Sequence, residues 1–97
     1  MKALRFHEAA RREANLAAFR FTEISIQLAQ RFLDALQVAY ASAAGSPRLY
    51  PTYLHDTRRV LLKRFPYFIV YLDWENEVYI VAIAHAKRRP GYWGKRL

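Results

Sequence analysis

The chain has 97 residues, of which 54% are hydrophobic and 25% charged, and its formal net charge is +8. This length and composition exclude both a disordered chain and a second domain of ordinary size. The lack of cysteine excludes disulfides and thiolate catalysis, and no apolar segment reaches the ~20 residues that span a bilayer. We therefore expect one domain over residues 1–97, suited to the reducing cytoplasm, without membrane partners.

Alanine marks the first half of the chain as helical. Twelve of the 15 alanines precede Arg48, whereas four of the five valines follow it. Alanine favours helices and valine favours strands. The weak alternation of Lys2–Phe6 predicts a short opening strand. Glu8–Phe21 predicts a first helix, because acids lie at its start and alanines recur on one face.

The second predicted helix has the stronger apolar stripe. Thr22 or Ser25 can cap its start, and Gly45 and Pro47 predict an end near Ala44. Its apolar residues follow steps of three and four, at Leu28, Ala29, Phe32, Leu33, Leu36, Ala39, Tyr40 and Ala43. We expect two antiparallel helices whose apolar stripes face each other.

The second half changes to the two-residue period of strands. A proline-containing loop is predicted over Ser46–Asp56. Three strands follow, separated by a bend at Pro66 and a turn over residues 74–77: Arg58–Phe65, Tyr67–Asp73 and Val78–Ala84. The predicted fold class is α+β in the order β-α-α-β-β-β, with a two-helix hairpin packed on an antiparallel sheet.

Basic residues concentrate in the second half, where nine Lys and Arg accompany four Asp and Glu. If the first and last strands of the predicted meander share a sheet, two basic groups converge. These groups are Arg58, Arg59, Lys63 and Arg64, and Lys87, Arg88 and Arg89. Tyr92 and Trp93 follow in a tail without acids, so phosphate contacts and base stacking are plausible there. The simpler alternative is that the bases protect strand edges from aggregation.

His85 ends the last predicted strand and could serve as a general acid or base. The alternative is that it satisfies a backbone group at the strand end. His7 and His55 lack ligands at useful spacing and are expected on the surface. The acids around the predicted turn, Asp73, Glu75 and Glu77, are expected to be solvated, which disfavours a magnesium-dependent nuclease. With no metal or phosphate-loop motif, no cofactor is expected.

Two segments of the second half carry a family likeness. They are Arg58–Tyr71, which contains the RFPY turn, and Ala82–Trp93, which contains AIAH and RRPGYW. In this order they resemble the RelE/ParE superfamily of toxins from type II toxin–antitoxin modules, with weaker support from Arg31–Leu36. The resemblance implies the β-α-α-β-β-β fold and a bacterial growth inhibitor of the kind linked to plasmid stabilization. It also implies a cognate antitoxin, with which homo-oligomers can form.

Two mechanisms divide the superfamily. RelE-like members are metal-independent endoribonucleases that cleave messenger RNA on the ribosome, whereas ParE-like members inhibit DNA gyrase by protein contact. Phe68 stands where the ribosome-dependent nucleases commonly carry arginine, and losing one such donor can cost ~10²-fold in rate. The phenylalanine weakens catalysis without excluding it, because Arg88 and Tyr92 still match the other nuclease positions and His85 offers an acid or base. A ParE-like, non-catalytic toxin is therefore favoured. Its target would contact the basic C-terminal region, at Arg88, Arg89, Tyr92 and Trp93.

Two alternatives to gyrase inhibition remain open at this point. In a ribosome-dependent nuclease, His85, Arg88 and Tyr92 would be catalytic, and Arg59 and Lys63 would help Arg88 to hold the RNA phosphate. A degenerate toxin would act only as a binding module. All target-binding hypotheses require that the first strand of the meander and the basic tail meet on one surface.

Overall fold

Two helices pack on one face of a four-stranded sheet in the computed structural model, which describes residues 1–97. The elements in chain order are β1 (Ala3–Phe6), α1 (Glu8–Thr22), α2 (Ile26–Gly45), β2 (Arg58–Leu61), β3 (Tyr67–Asp73) and β4 (Glu77–His85). Short 3₁₀ helices occupy Leu54–Asp56 and Gly94–Arg96. The α+β class and the order β-α-α-β-β-β are confirmed. Neither long helix combines the length and apolar character that a membrane crossing requires.

The sheet is mixed, which corrects the expectation of a wholly antiparallel one. Its strand order is β1-β4-β3-β2, and β1 pairs parallel to β4 while the other neighbours pair antiparallel. The helical hairpin explains this, since α2 returns to where β1 begins and the Lys2 N–H donates to the Ala44 carbonyl at 3.0 Å. β2 therefore starts at the same end as β1, and the meander makes β4 parallel to both.

Side chains near the helix starts fix where the helices begin. Ser25, rather than Thr22, caps α2, because its hydroxyl accepts from the Leu28 N–H at 3.0 Å. The His7 Nδ1 atom accepts from the Ala9 N–H at 3.0 Å and caps α1. The histidine expected to be a simple surface residue thus has a structural role.

The first strand of the meander is shorter than predicted. β2 ends at Leu61, and residues 62–66 form a turn closed by a hydrogen bond from the Leu62 N–H to the Tyr67 carbonyl at 3.0 Å. Arg64 adopts a φ of 68° in this turn, a backbone conformation that residues other than glycine rarely adopt. Lys63 and Arg64 consequently project from a turn instead of a strand.

Apolar side chains pack on both faces of the sheet. The larger core lies against the helices and includes Phe32, Leu36, Ile69 and Ile80. The smaller core lies on the opposite face and comprises Phe68, Val70, Val81, Ala82, Ala84 and Trp93. Burial on both faces accounts for the uninterrupted apolar run of β4.

Candidate target-binding site

Arg59 and the C-terminal basic segment line one small pocket on the face of the sheet away from the helices. The pocket has a volume of about 120 Å³, and its basic residues are Arg59, His85, Arg88 and Arg89. Phe68 and Trp93 contribute to its apolar wall. The first strand of the meander and the basic tail therefore do meet on one surface.

Arg59 is held in place by aromatic rings. Its guanidinium carbon lies 4.1 Å from the ring centroid of Tyr53 and 4.9 Å from that of Phe68. Such cation–π contacts use the face of the guanidinium plane, so its N–H groups at the edge stay free to donate. Phe68, which stands where the nucleases carry arginine, thus packs against the guanidinium of Arg59.

Trp93 does not face a target, which corrects the expectation drawn from the sequence. Only 1% of its surface is exposed, and its ring packs with Tyr53 at 6.0 Å and edge-on with His55 at 5.6 Å. The tail turns into this position at Gly91, whose φ is 78°. Trp93 anchors the tail because the helix-free face of the sheet requires an apolar cover.

The other predicted binding residues are spread more widely. Arg58 points away from Arg59, since neighbours in a strand alternate faces, and it donates to the carbonyls of Tyr50 and Arg48. Arg64 and Lys87 are exposed, and Lys63 lines a separate groove beside α2. Of the nine residues expected to bind the target, Arg59, Arg88, Arg89 and Tyr92 line the pocket together with the buried Trp93.

Glu13 of α1 fastens the tail to the rest of the fold, a role that sequence patterns did not predict. Its Oε1 accepts from the Ile83 N–H at 3.0 Å and from Arg96 at 2.8 Å. Its Oε2 accepts from the Tyr92 hydroxyl at 2.7 Å and from Arg96 at 2.9 Å. We call Glu13, Tyr92 and Arg96 the tail clamp.

The tail clamp also completes the open edge of β4. β1 pairs with β4 only as far as Phe6 opposite Ile80, so the remainder of β4 has no strand on that side. Glu13 accepts from the Ile83 N–H there, and Arg96 donates to the Val81 carbonyl at 3.0 Å. Two side chains thereby satisfy backbone groups that a longer β1 would have paired.

The clamp fixes the protonation of its members. Burial raises the pKa of Glu13, but hydrogen bonds from Arg96, Tyr92 and the Ile83 N–H outweigh it and place that pKa below its usual value. Burial and the hydrogen bond to Glu13 raise the pKa of the Tyr92 phenol. Tyr92 therefore remains a protonated donor, which makes it unsuitable as a general base.

His85 and Arg88 lie next to the clamp but form no proton relay with Tyr92. The His85 Nδ1 accepts from the Lys87 N–H at 3.0 Å, and its ring packs edge-on with Tyr67 at 4.9 Å. Arg88 lies over the Tyr92 ring at 3.7 Å and 3.5 Å from Glu13 Oε2. The three candidate catalytic residues are thus close in the fold, with the Tyr92 hydroxyl directed to a carboxylate.

A second candidate surface is an apolar groove between α2 and β2. It has a volume of about 530 Å³, and Val38 and Leu61 in its walls are 63% and 65% exposed. Arg59 and Lys63 supply its positive charges. β2 is the last strand of the sheet on this side, so an edge capable of pairing lies beside the groove.

Comparison with known proteins relates this architecture to one family. The family model for the ParE toxin of the type II toxin–antitoxin system, parDE, matches residues 4–90. No curated protein sequence matches the chain significantly. A solved structure described as the chromosomal ParDE TA system from P. aeruginosa has the same fold, with a TM-score of 0.64 and 16% identity. The match covers 90% of this chain and 98% of that one.

We predict that Glu13→Gln lowers the free energy of unfolding by about 2 kcal/mol at pH 7, since it leaves Arg96 without its charged partner. The folded-state pKa of Glu13 is depressed, so its ionic contribution is present above the usual value near 4.5 and is lost as the pH falls further. Urea unfolding between pH 3 and 7 should show the difference between the two proteins shrinking below pH ~4.5.

Glu8→Gln is the matched control for the clamp. Glu8 occupies the exposed first turn of α1, where it forms an i,i+4 pair with Arg12 at 3.5 Å. We expect it to change the unfolding free energy by less than about 0.5 kcal/mol. Equal destabilisation by the two substitutions would contradict the role given to the tail clamp.

Proposed function

The chain belongs to the ParE toxin family of type II toxin–antitoxin systems, and on this premise we propose that it inhibits DNA gyrase by protein contact. We further propose that a cognate antitoxin neutralises it in the bacterial cytoplasm. In this proposal, Arg59, Arg88 and Arg89 contact the target. Arginine is well suited to that role because it combines charge, planar stacking and several donors.

The observation that carries the proposal is the hydrogen bond from the Tyr92 hydroxyl to Glu13, which argues against a catalytic role for Tyr92. A hydroxyl that donates to a carboxylate at 2.7 Å cannot readily accept a proton from an attacking 2′-hydroxyl. Phe68 offers no donor to a phosphate that gains charge during cleavage. The same surface retains what binding requires, namely exposed guanidinium groups on a buried aromatic support.

Net charge supports association with the target. The chain carries +8, and acids are absent from Lys87–Leu97. A charge of this sign accelerates encounter with an acidic protein surface or with gyrase bound to DNA. The anchored Trp93 and Arg96 reduce the motion of the segment that carries Arg88 and Arg89, which limits the entropy lost on binding.

Ribosome-dependent cleavage of messenger RNA is the second candidate. One observation favours it. Such nucleases are expected to carry arginine at the position of Phe68, and the guanidinium of Arg59 lies 4.9 Å from the Phe68 ring. His85 would then have to act as general base, with Arg59 and Arg88 holding the phosphate. The proposal of gyrase inhibition is preferred because the Tyr92 hydroxyl is already bound to Glu13.

We propose that the antitoxin docks in the apolar groove between α2 and β2. An amphipathic acidic segment fits the chemistry of this groove, since its walls are apolar and Arg59 and Lys63 line it. The structural neighbour described as a ParDE system supports the existence of an antitoxin partner. Arg59 lines both the groove and the target pocket, so an occupant of the groove would also cover part of the target-binding surface.

We predict that Arg89→Gln raises the concentration needed for half-inhibition of gyrase supercoiling by about fivefold at low salt. The reason is the loss of one exposed charge from the target-facing pocket. Arg31→Gln is the matched control, because Arg31 is an exposed arginine of α2 that makes no ion pair. We expect the control to inhibit supercoiling as the unmodified chain does.

The two mechanisms can be separated in the same cells. Induced expression should block supercoiling and leave translated messages intact if gyrase is the target. Messages cut at ribosomes, with cleavage abolished by His85→Gln, would establish the nuclease and overturn the proposal. Harmless expression of a folded chain would instead identify a degenerate toxin that only binds its partner.

We predict that Leu61→Asp weakens binding of the proposed antitoxin by at least about tenfold, because a charge enters the apolar groove. Ile26→Asp is the control, since Ile26 is 73% exposed at the start of α2 and lies outside the groove. Calorimetric titration gives both affinities. Full affinity of the Leu61→Asp protein would show that the antitoxin docks elsewhere.

A further inference from the structure

A second cationic cleft lies on the helix side of the sheet and shares His85 and Arg88 with the target-binding pocket. It has a volume of about 350 Å³ and lies between α1 and the end of β4. Arg20, His85 and Arg88 line it together with Tyr67 and Glu13. The gyrase proposal uses Arg88 but makes no use of Arg20, which does not line the target-binding pocket.

The charge within the cleft is positive although Glu13 belongs to its lining. Both carboxylate oxygens of Glu13 are already bound by the tail clamp, and Arg96 neutralises their charge. Arg20 is exposed and forms no ion pair, and Arg88 reaches Glu13 at only 3.5 Å. At least one full guanidinium charge is therefore left without a partner at the mouth of the cleft.

The imidazole of His85 is oriented as a further donor. Its Nδ1 accepts from the Lys87 N–H at 3.0 Å, so the neutral ring carries its proton on Nε2. Edge-on packing against Tyr67 at 4.9 Å restrains the ring. A donor therefore remains available on His85 without any change of protonation.

The donors come from three separate elements: the last turn of α1, the end of β4 and the basic tail. A planar carboxylate uses one guanidinium fork, whereas a phosphate group offers several tetrahedrally arranged oxygens to donors from different directions. Leu16 and Ala17 close one wall of the cleft with apolar surface, which strengthens charge-assisted hydrogen bonds inside it. We propose that the cleft formed by Arg20, His85 and Arg88 binds a phosphate group.

The test is a titration of the purified chain with sodium phosphate, followed by amide shifts in ¹H–¹⁵N spectra, with sodium chloride at equal ionic strength as reference. We expect shifts centred on Arg20, His85 and Arg88. Arg20→Gln should weaken phosphate binding at least tenfold, because it removes one of two guanidinium forks. Arg31→Gln removes the same charge from elsewhere on the helices and should change binding less than twofold.

A parallel titration with an oligothymidylate that lacks terminal phosphates identifies the source of the phosphate. Binding of inorganic phosphate that depends on Arg20 supports a site for a free phosphate group. Binding of the oligonucleotide alone, with the same dependence on Arg20, supports a site for a nucleic-acid backbone. Binding of neither ligand, equal weakening by the two substitutions, or shifts confined to Arg59 and Arg89 would overturn the proposal.

Discussion

The carboxylate of Glu13 is the constraint on which the candidate site depends. β1 covers only half of β4, and the uncovered half would present unpaired backbone groups at an open edge. Glu13 and Arg96 satisfy two of those groups, and the ion pair between them draws the tail against the sheet. This attachment and the burial of Trp93 together hold Arg88 and Arg89 beside Arg59. One partly buried ion pair thus links the completion of the sheet to the assembly of the binding surface.

Local patterns predicted most of the fold. The alanine-rich helices, the two-residue period after Arg58 and the cap at Ser25 depend on neighbours a few positions apart, which a sequence displays directly. The direction of β1 could not be read in this way, since it depends on where α2 returns the chain. The length of β2 was overestimated because Lys63–Phe65 continues an alternating pattern through a turn.

The candidate site was only partly predictable for a related reason. Convergence of Arg59 with Arg88 and Arg89 followed from placing two strands in one sheet, but alternation in β2 separates Arg58 from that surface. Trp93 was misassigned, because an aromatic residue in a basic tail suits stacking and burial equally well. The apolar run of β4 held the useful signal, since burial on both faces requires a cover from elsewhere. No sequence signal marked Glu13, because a single carboxylate on a helix looks the same in the sequence whether it is solvated or paired.

The separation between Glu13 and its partner has a consequence for biosynthesis. The guanidinium that neutralises Glu13 lies 83 positions further along the chain. A ribosome must therefore translate through Arg96, and this residue must emerge from the exit tunnel, before α1 can acquire its final electrostatic partner. A nascent chain that stops short of that point lacks the hydrogen bonds by which Arg96 holds the tail to Glu13 and Val81. The surface that Arg88 and Arg89 share with Arg59 is therefore among the last parts of the fold to be assembled.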